Sequence, residues 1–203
     1  MSLIADDELY QGYLAKVYQD TQAFFPYSHH ERESRAQTGV CIVYGELLYY
    51  SVKKVIKEMQ HSPSDIFLDL GSGIGKLALQ VFLESDVAKV VGIEALPILD
   101  AQAQKVAQQV ASDYPFFWEN GRELTFICSD FMKTSWMDAT IIFACSTCFT
   151  PELLEIVGNR INQEPQVRQV LSLRPFPTLK MPLRRVFTVE GNWDTVLCFY
   201  YQV

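Results

Sequence analysis

The sequence predicts an α/β fold: a doubly wound sheet of about seven strands with an antiparallel C-terminal β-hairpin and a helical N-terminal cap. Three observations carry this. Residues 66–94 read I-F-L-D-L-G-S-G-I-G-K, then a helical run, then K-V-V-G-I-E, which is one strand–helix–strand unit with a glycine turn at its first corner. Short apolar runs and amphipathic helix-length runs keep alternating as far as residue 173. Two final apolar runs, 186–189 and 196–201, flank Gly191-Asn192, the mark of a hairpin.

Each element follows from local pattern. Residues 5–23 carry Leu9, Tyr13, Leu14, Val17 and Tyr18 at helical spacing. Residues 24–38 read as a polar loop; its neighbouring His29 and His30 are poorly placed to chelate one metal and read as exposed. A long amphipathic helix is expected over 44–60, opened by V-Y-G-E and ended by His61-Ser62-Pro63-Ser64. Strands are expected at 66–70, 90–94, 124–128, 139–144 and 167–173, with helices at 74–84 and from Pro97 to about 112. Thr150-Pro151-Glu152 starts a further helix, with a capping side chain followed by proline at the first turn. No repeat or linker divides the chain. The reading is one domain, 1–203, with 1–62 as a helical cap over the strands' C-terminal ends and 63–203 as the core.

Composition narrows the function classes. A hydrophobic fraction of 49% with 20% charged residues suits a soluble globular protein. No apolar run reaches the ~18 residues that span a bilayer, and Asp6, Asp7 and Glu8 do not suit a signal peptide. The cysteines at 41, 128, 145, 148 and 198 are odd in number and read as reduced thiols. Together these point to a cytoplasmic location, with a nuclear one left open, and to no membrane association. A net charge of -7 lacks the field that autonomous nucleic-acid binding requires.

The glycine turn and the carboxylate at Glu94 suggest a nucleoside-bearing ligand. Glycines let backbone approach it at a helix N-terminus, and Glu94 offers an acceptor to a ribose diol. The dinucleotide spacing G-x-G-x-x-G is not met, because the third glycine arrives one residue early at Gly75 and Lys76 takes its place. Asp69 before the turn would repel a pyrophosphate but would accept from the ammonium of a methionine moiety. D-L-G-S-G-I-G therefore resembles motif I of the class I S-adenosylmethionine-dependent methyltransferases, and a Rossmann-like sheet of that class is expected.

Further positions fit such a sheet. Asp130 and Phe131 end the third strand, where an adenine would meet an acceptor and an aromatic ring. The fourth strand runs into Cys145-Ser146-Thr147-Cys148-Phe149. Ser146 is the best polar side chain at the point of methyl transfer, and Cys145 is expected in the sheet or against the cofactor. The C-x-x-C spacing also invites a redox reading, which needs a depressed thiol pKa. Trp193 and Tyr200-Tyr201 offer aromatic walls for a lysine stem.

These segments, over about 43–201, together resemble the disruptor-of-telomeric-silencing family of non-SET histone lysine methyltransferases. V-Y-G-E (43–46) resembles that family's loop over the methionine end, Asp69 to Gly75 its motif I, Glu94 its ribose acid and Asp130-Phe131 its adenine contact. S-L-R-P-F (172–176) is similar to its S-x-K-P-F element, and Trp193 with Tyr200-Tyr201 to its tryptophan and tyrosine pair. The family's N-N-F-x-F is here C-S-T-C-F, so its asparagine pair is replaced. The resemblance implies S-adenosylmethionine as cofactor, with Tyr44, Glu46, Asp69, Gly71, Gly73, Gly75, Glu94, Asp130, Phe131 and Cys145 around it. It implies Ser146, Phe149, Trp193 and Tyr200 around the transfer point, and a protein lysine as acceptor. A small-molecule acceptor and a non-catalytic cofactor-binding remnant are the alternatives.

Overall fold

The computed structural model describes residues 7–19 and 45–203. Among them are five α-helices: α1 (Asp7–Val17), α2 (Tyr49–Glu58), α3 (Lys76–Glu84), α4 (Pro97–Asp113) and α5 (Pro151–Ile161). Seven strands, β1 (Ile66–Leu70), β2 (Lys89–Glu94), β3 (Glu123–Cys128), β4 (Ile141–Ala144), β5 (Gln169–Ser172), β6 (Leu183–Glu190) and β7 (Thr195–Gln202), form one sheet in the order β3-β2-β1-β4-β5-β7-β6. The first five are parallel, and β7 enters antiparallel to β5. The doubly wound sheet with its antiparallel hairpin is as the sequence predicts.

The central strands are apolar because helices or loops cover both faces. Side chains of β1 alternate: Phe67 joins one core cluster, while Leu68 and Leu70 join the other. The first cluster lies under α1, α2, α3 and α4, through Leu14, Val55, Phe82 and Val106. The second lies under α5 and the loop after β3, through Leu154, Val157 and Trp136. The Thr150 cap is present, its Oγ1 accepting from Leu153 N at 3.2 Å. No helix among the described residues is long and apolar enough to cross a membrane.

Two expectations change. The helix foreseen over 44–60 begins only at Tyr49. Residues 45–48 are drawn instead to the hairpin tip: Leu48 N donates to Glu190 O at 2.9 Å, and Leu47 bridges Gly191. The described cap helices, α1 and α2, also lie along one sheet face rather than over the strand ends, while residues 20–44 of the expected cap lie outside the described residues. The hydroxyl of Tyr13 in α1 donates to Asp113 at the end of α4 (2.9 Å), and α2 packs on α3 and β6. Among the described cap residues, Tyr18 and residues 45–48 lie nearest Lys76 and the hairpin tip.

The opposite, N-terminal edge is closed by a polar clasp. Asp65 is 2% exposed and accepts from Ser62 N (2.8 Å), Ser62 Oγ (2.8 Å), Thr140 Oγ1 (2.7 Å) and the Arg168 guanidinium. Beside it, Gln169 accepts from Gln60 N at 2.8 Å and donates to Gln60 O, tying the end of α2 to β5.

Candidate functional site

The C-terminal edge gathers the chemically suggestive residues, and the glycine turn explains how. Gly71, Gly73 and Gly75 all have positive φ, 82°, 57° and 80°. Gly75 has a second reason to be glycine: a Cβ there would lie 2.5 Å from the Phe126 ring and 3.0 Å from Ala103. Bare backbone at this corner lets α3, α4 and β3 close together behind the loop.

The loop hangs on β2. Gly71 N and Ser72 N both donate to Ile93 O, at 2.9 and 3.0 Å. Gly73 N donates to Glu94 Oε2 at 2.9 Å, and Leu96 N to Glu94 Oε1 at 2.8 Å. Glu94 thus holds the glycine loop with one oxygen and the start of α4 with the other, and with Ala95 N–H also against it the carboxylate still keeps acceptor capacity to spare. Burial pushes its carboxyl above the usual range, with the backbone N–H bonds opposing. Asp69, 2% exposed, is pushed up to about 8 by burial and then by Glu94. An ammonium against Asp69 would return it to the ionised form.

Two oxygens near this corner, Ser72 Oγ and Asp100 Oδ1, are closed off from solvent with no protein partner. Each such atom costs a fold ~1–3 kcal/mol. Buried carboxyls, unpaired acceptors and a side-chain-free loop are a donor set suited to a hydroxyl-rich nucleoside carrying a cationic amino-acid end. They do not suit a pyrophosphate.

The second part of the rim joins distant segments. Glu46 Oε2 meets Lys76 Nζ at 2.5 Å, and Lys76 lies 5.2 Å over the Tyr18 ring. Glu46 N donates to Asn192 Oδ1 at 3.1 Å, and Asn192 N donates to Glu46 O at 2.9 Å. The Trp193 ring lies against two glycines: a Cβ would come within 2.5 Å of it at Gly45 and 2.4 Å at Gly191. Gly45 and Glu46 of V-Y-G-E therefore meet Trp193 at the hairpin tip, with Trp193 39% exposed. Tyr44 lies outside the described residues.

The exits of β3 and β4 meet through Phe131 and Phe149, whose rings stack at 5.6 Å and 28°. Asp130 is occupied locally, accepting from Met132 N at 2.8 Å with Lys133 at 3.6 Å, and stays half-exposed. Cys145 packs with the other core cluster. Its thiol is pushed up to about 12 by burial and by Asp69, opposite to the depression a redox cysteine needs.

Two expected transfer-point residues are used elsewhere. Ser146 is fully buried, and its Oγ accepts from Arg174 N at 2.9 Å. Arg174 in turn donates from its guanidinium to Phe149 O, and Ser172 Oγ donates to Arg174 O at 2.8 Å. Ser146 thus pins the C-S-T-C-F segment to S-L-R-P-F instead of fronting the cleft. Ser146→Ala is expected to strand the Arg174 N–H at ~1–3 kcal/mol, lowering the melting temperature by several degrees. An unchanged thermal melt would show that this bond does not matter in solution.

Tyr200 is the other correction. It pairs with Leu171, and its hydroxyl donates to Gln169 Oε1 at 2.8 Å. Gln169 is the first residue of β5, so the ring points toward the clasp edge. With a rise of ~3.3 Å per residue, that edge lies ~10 Å or more from the strand ends that carry the glycine loop. The antiparallel entry of β7 reverses direction, so Trp193 reaches the cleft and Tyr200 does not. Lys76, Tyr18, Ser72, Asp100 and Arg174 were not foreseen as part of this region. Lys76 and Arg174 left a signal, as departures from the dinucleotide spacing and within S-L-R-P-F; Asp100 resembles any acid in a first helical turn.

Comparison with known proteins agrees with this geometry. The family model described as "Histone methylation protein DOT1" matches residues 27–189. A Caenorhabditis elegans protein, "Histone-lysine N-methyltransferase, H3 lysine-79 specific", is 29% identical over 126 residues, 60% of this chain and 13% of that protein. A Cryptococcus neoformans protein of the same description is 37% identical over 70 residues, 34% of this chain and 11% of its own length. The aligned stretches are thus a small part of these relatives. Among solved structures, an RNA methyltransferase from Salinibacter ruber in complex with S-adenosyl-L-homocysteine shares the fold. Its TM-score is 0.55 at 20% identity, covering 76% of this chain and 92% of that one.

Proposed function

This chain belongs to the DOT1 histone-methylation family, and from that premise we propose that it transfers the methyl group of S-adenosylmethionine to a lysine of a protein. The observation that carries the reading is the clasp at Glu94, which holds a bare glycine loop beside buried, unpaired acceptors. When bound, the cofactor supplies a methyl group activated by its sulfonium.

The chain's own residues bind and orient. Gly71 and Gly73 leave bare backbone for the nucleoside to approach, Gly75 lets the loop pack on Phe126 behind it, and the remaining acceptor capacity of Glu94 takes up ribose hydroxyls. Asp69 faces the amino-acid end, where a cationic amine offsets the cost of ionising it. Lys76 and Glu46 close that end as an ion pair. Phe131 and Phe149 form an apolar slot, and Cys145, protonated at neutral pH, lines rather than reacts. Trp193 stands at the mouth, where an aromatic face suits a lysine stem and ammonium. The lysine sheds its proton as it leaves water for this low-dielectric opening. Most of the rate then comes from alignment and water exclusion.

The names of the relatives make histone H3 the first acceptor to try. Purified protein with radiolabelled S-adenosylmethionine is expected to label histone H3 or another protein of a cell lysate. S-adenosylhomocysteine at a hundredfold excess over Kd is expected to stabilise the fold by ~2.7 kcal/mol, a rise of roughly 5–11 °C in Tm, while NAD gives none. No rise with either sulfur ligand sinks the cofactor reading. Labelling confined to small molecules replaces the protein acceptor with a metabolite, and binding without any transfer leaves a cofactor-binding protein.

A further inference from the structure

Glu94 is not the only carboxyl at the nucleoside corner. Asp100 sits in the first turn of α4 and is 4% exposed. Its Oδ2 is held by Gln104 Nε2 at 2.7 Å, which fixes the side chain, while Oδ1 is enclosed without a partner. The charge of Asp100 is felt at both Glu94 and Cys128, the register partners that end β2 and β3. It therefore belongs to the corner where the ribose acid stands. Both Glu94 oxygens already accept backbone N–H groups, whereas Asp100 Oδ1 is an enclosed carboxylate acceptor with no hydrogen-bond partner.

A buried acid beside another acid weakens a fold. A Leu or Met would be accommodated more easily in a first turn flanked by Leu99 and Ala103. An enclosed carboxylate held at one oxygen and free at the other suits a ligand that brings its own hydrogen-bond donor. A phosphate would be repelled by the pair.

We propose that Asp100 is a second carboxylate of the nucleoside subsite, accepting a hydrogen bond from a hydroxyl or amine of the bound adenosine. This rests on the cofactor reading above. Asp100 makes the subsite selective: it favours a nucleoside with its donors intact and rejects one that is phosphorylated at the same place.

The test is calorimetric titration of S-adenosylhomocysteine and its 2′-deoxy, 3′-deoxy and N6-dimethyl analogues into the parent, Asp100→Ala and Asp100→Asn. Asp100→Ala is expected to bind S-adenosylhomocysteine about 10-fold more weakly while its ligand-free melting temperature stays level or rises. One analogue is expected to lose clearly more on the parent than on the variant, the excess matching the loss caused by Asp100→Ala, which names the donor; a ribose-deoxy analogue keeps the part of its loss that belongs to Glu94. Asp100→Asn keeps the volume and the Gln104 contact, and carries the same measurement if the alanine variant folds poorly. Binding within twofold of the parent overturns the proposal, as does a loss shared equally by all analogues, the pattern of a structural residue. A parent that binds none of the four overturns the cofactor reading itself.

Discussion

Glu94→Ala is expected to weaken S-adenosylhomocysteine binding about 100-fold, because charge-assisted bonds to two ribose hydroxyls are worth ~1.5–3 kcal/mol each and are not fully additive. The structure adds a second loss. Glu94 also receives Gly73 N and Leu96 N, both in buried bonds. Without the carboxylate the glycine loop and the start of α4 lose their common anchor, so the ligand-free protein should melt several degrees lower. Glu94→Gln keeps the volume and one acceptor and should fall between. Titration and thermal melts of both variants measure the two effects separately. Parent-like affinity in Glu94→Ala would place the ribose elsewhere. A parent-like melt would mean that the loop is held without it.

Asp65→Ala carries the largest expected cost in stability, at the far edge of the sheet. Its carboxylate is enclosed by Ser62, Thr140 and Arg168. Removing the acid strands the Ser62 N–H, leaves the Thr140 and Ser62 hydroxyls with their weaker second partners, and deprives Arg168 of its counter-charge. Breaking a buried pair in this way costs ~3–5 kcal/mol; Arg168 is 36% exposed, so solvent screens part of the loss and ~3 kcal/mol is expected. That is a fall of roughly 6–12 °C in Tm. Burial pushes the Asp65 carboxyl up, but the bonds from Thr140, Arg168 and Ser62 outweigh it and hold it below the usual carboxylate range. With the folded pKa below the unfolded one, the stabilisation is complete above the unfolded value near ~3.9 and disappears as pH falls through the folded value. The parent's advantage over Asp65→Ala should therefore shrink in acid melts. An advantage that persists at the lowest pH would assign the effect to packing.

What was legible in the sequence is what local pattern encodes. A buried parallel strand reads as an apolar run, as at Ile66–Leu70; a helix start reads as cap then proline, as at Thr150-Pro151; and a hairpin reads as two apolar runs around Gly191-Asn192. The glycine turn and Glu94 were legible because positive φ and a strand-end acid leave residue-type signatures. Tyr200 and Ser146 misled because aromatic and hydroxyl side chains announce chemistry but not direction. The reversal at β7 turned Tyr200 toward Gln169, and a 28-residue separation hid the bond from Arg174 N to Ser146. The start of α2 was misjudged for the same reason. The start of α2 has no side-chain cap, and Glu46 ahead of it pairs instead with Asn192, 146 residues away.

That last separation sets an order of events during synthesis. The mouth of the cleft is stitched from Gly45 and Glu46 on one side and Gly191, Asn192 and Trp193 on the other. At a ribosomal rate of ~5–20 residues per second, the first half waits about 7–30 s for the second. The glycine loop and Glu94 leave the tunnel well before then. The opening is thus framed only after the glycine loop behind it has been made.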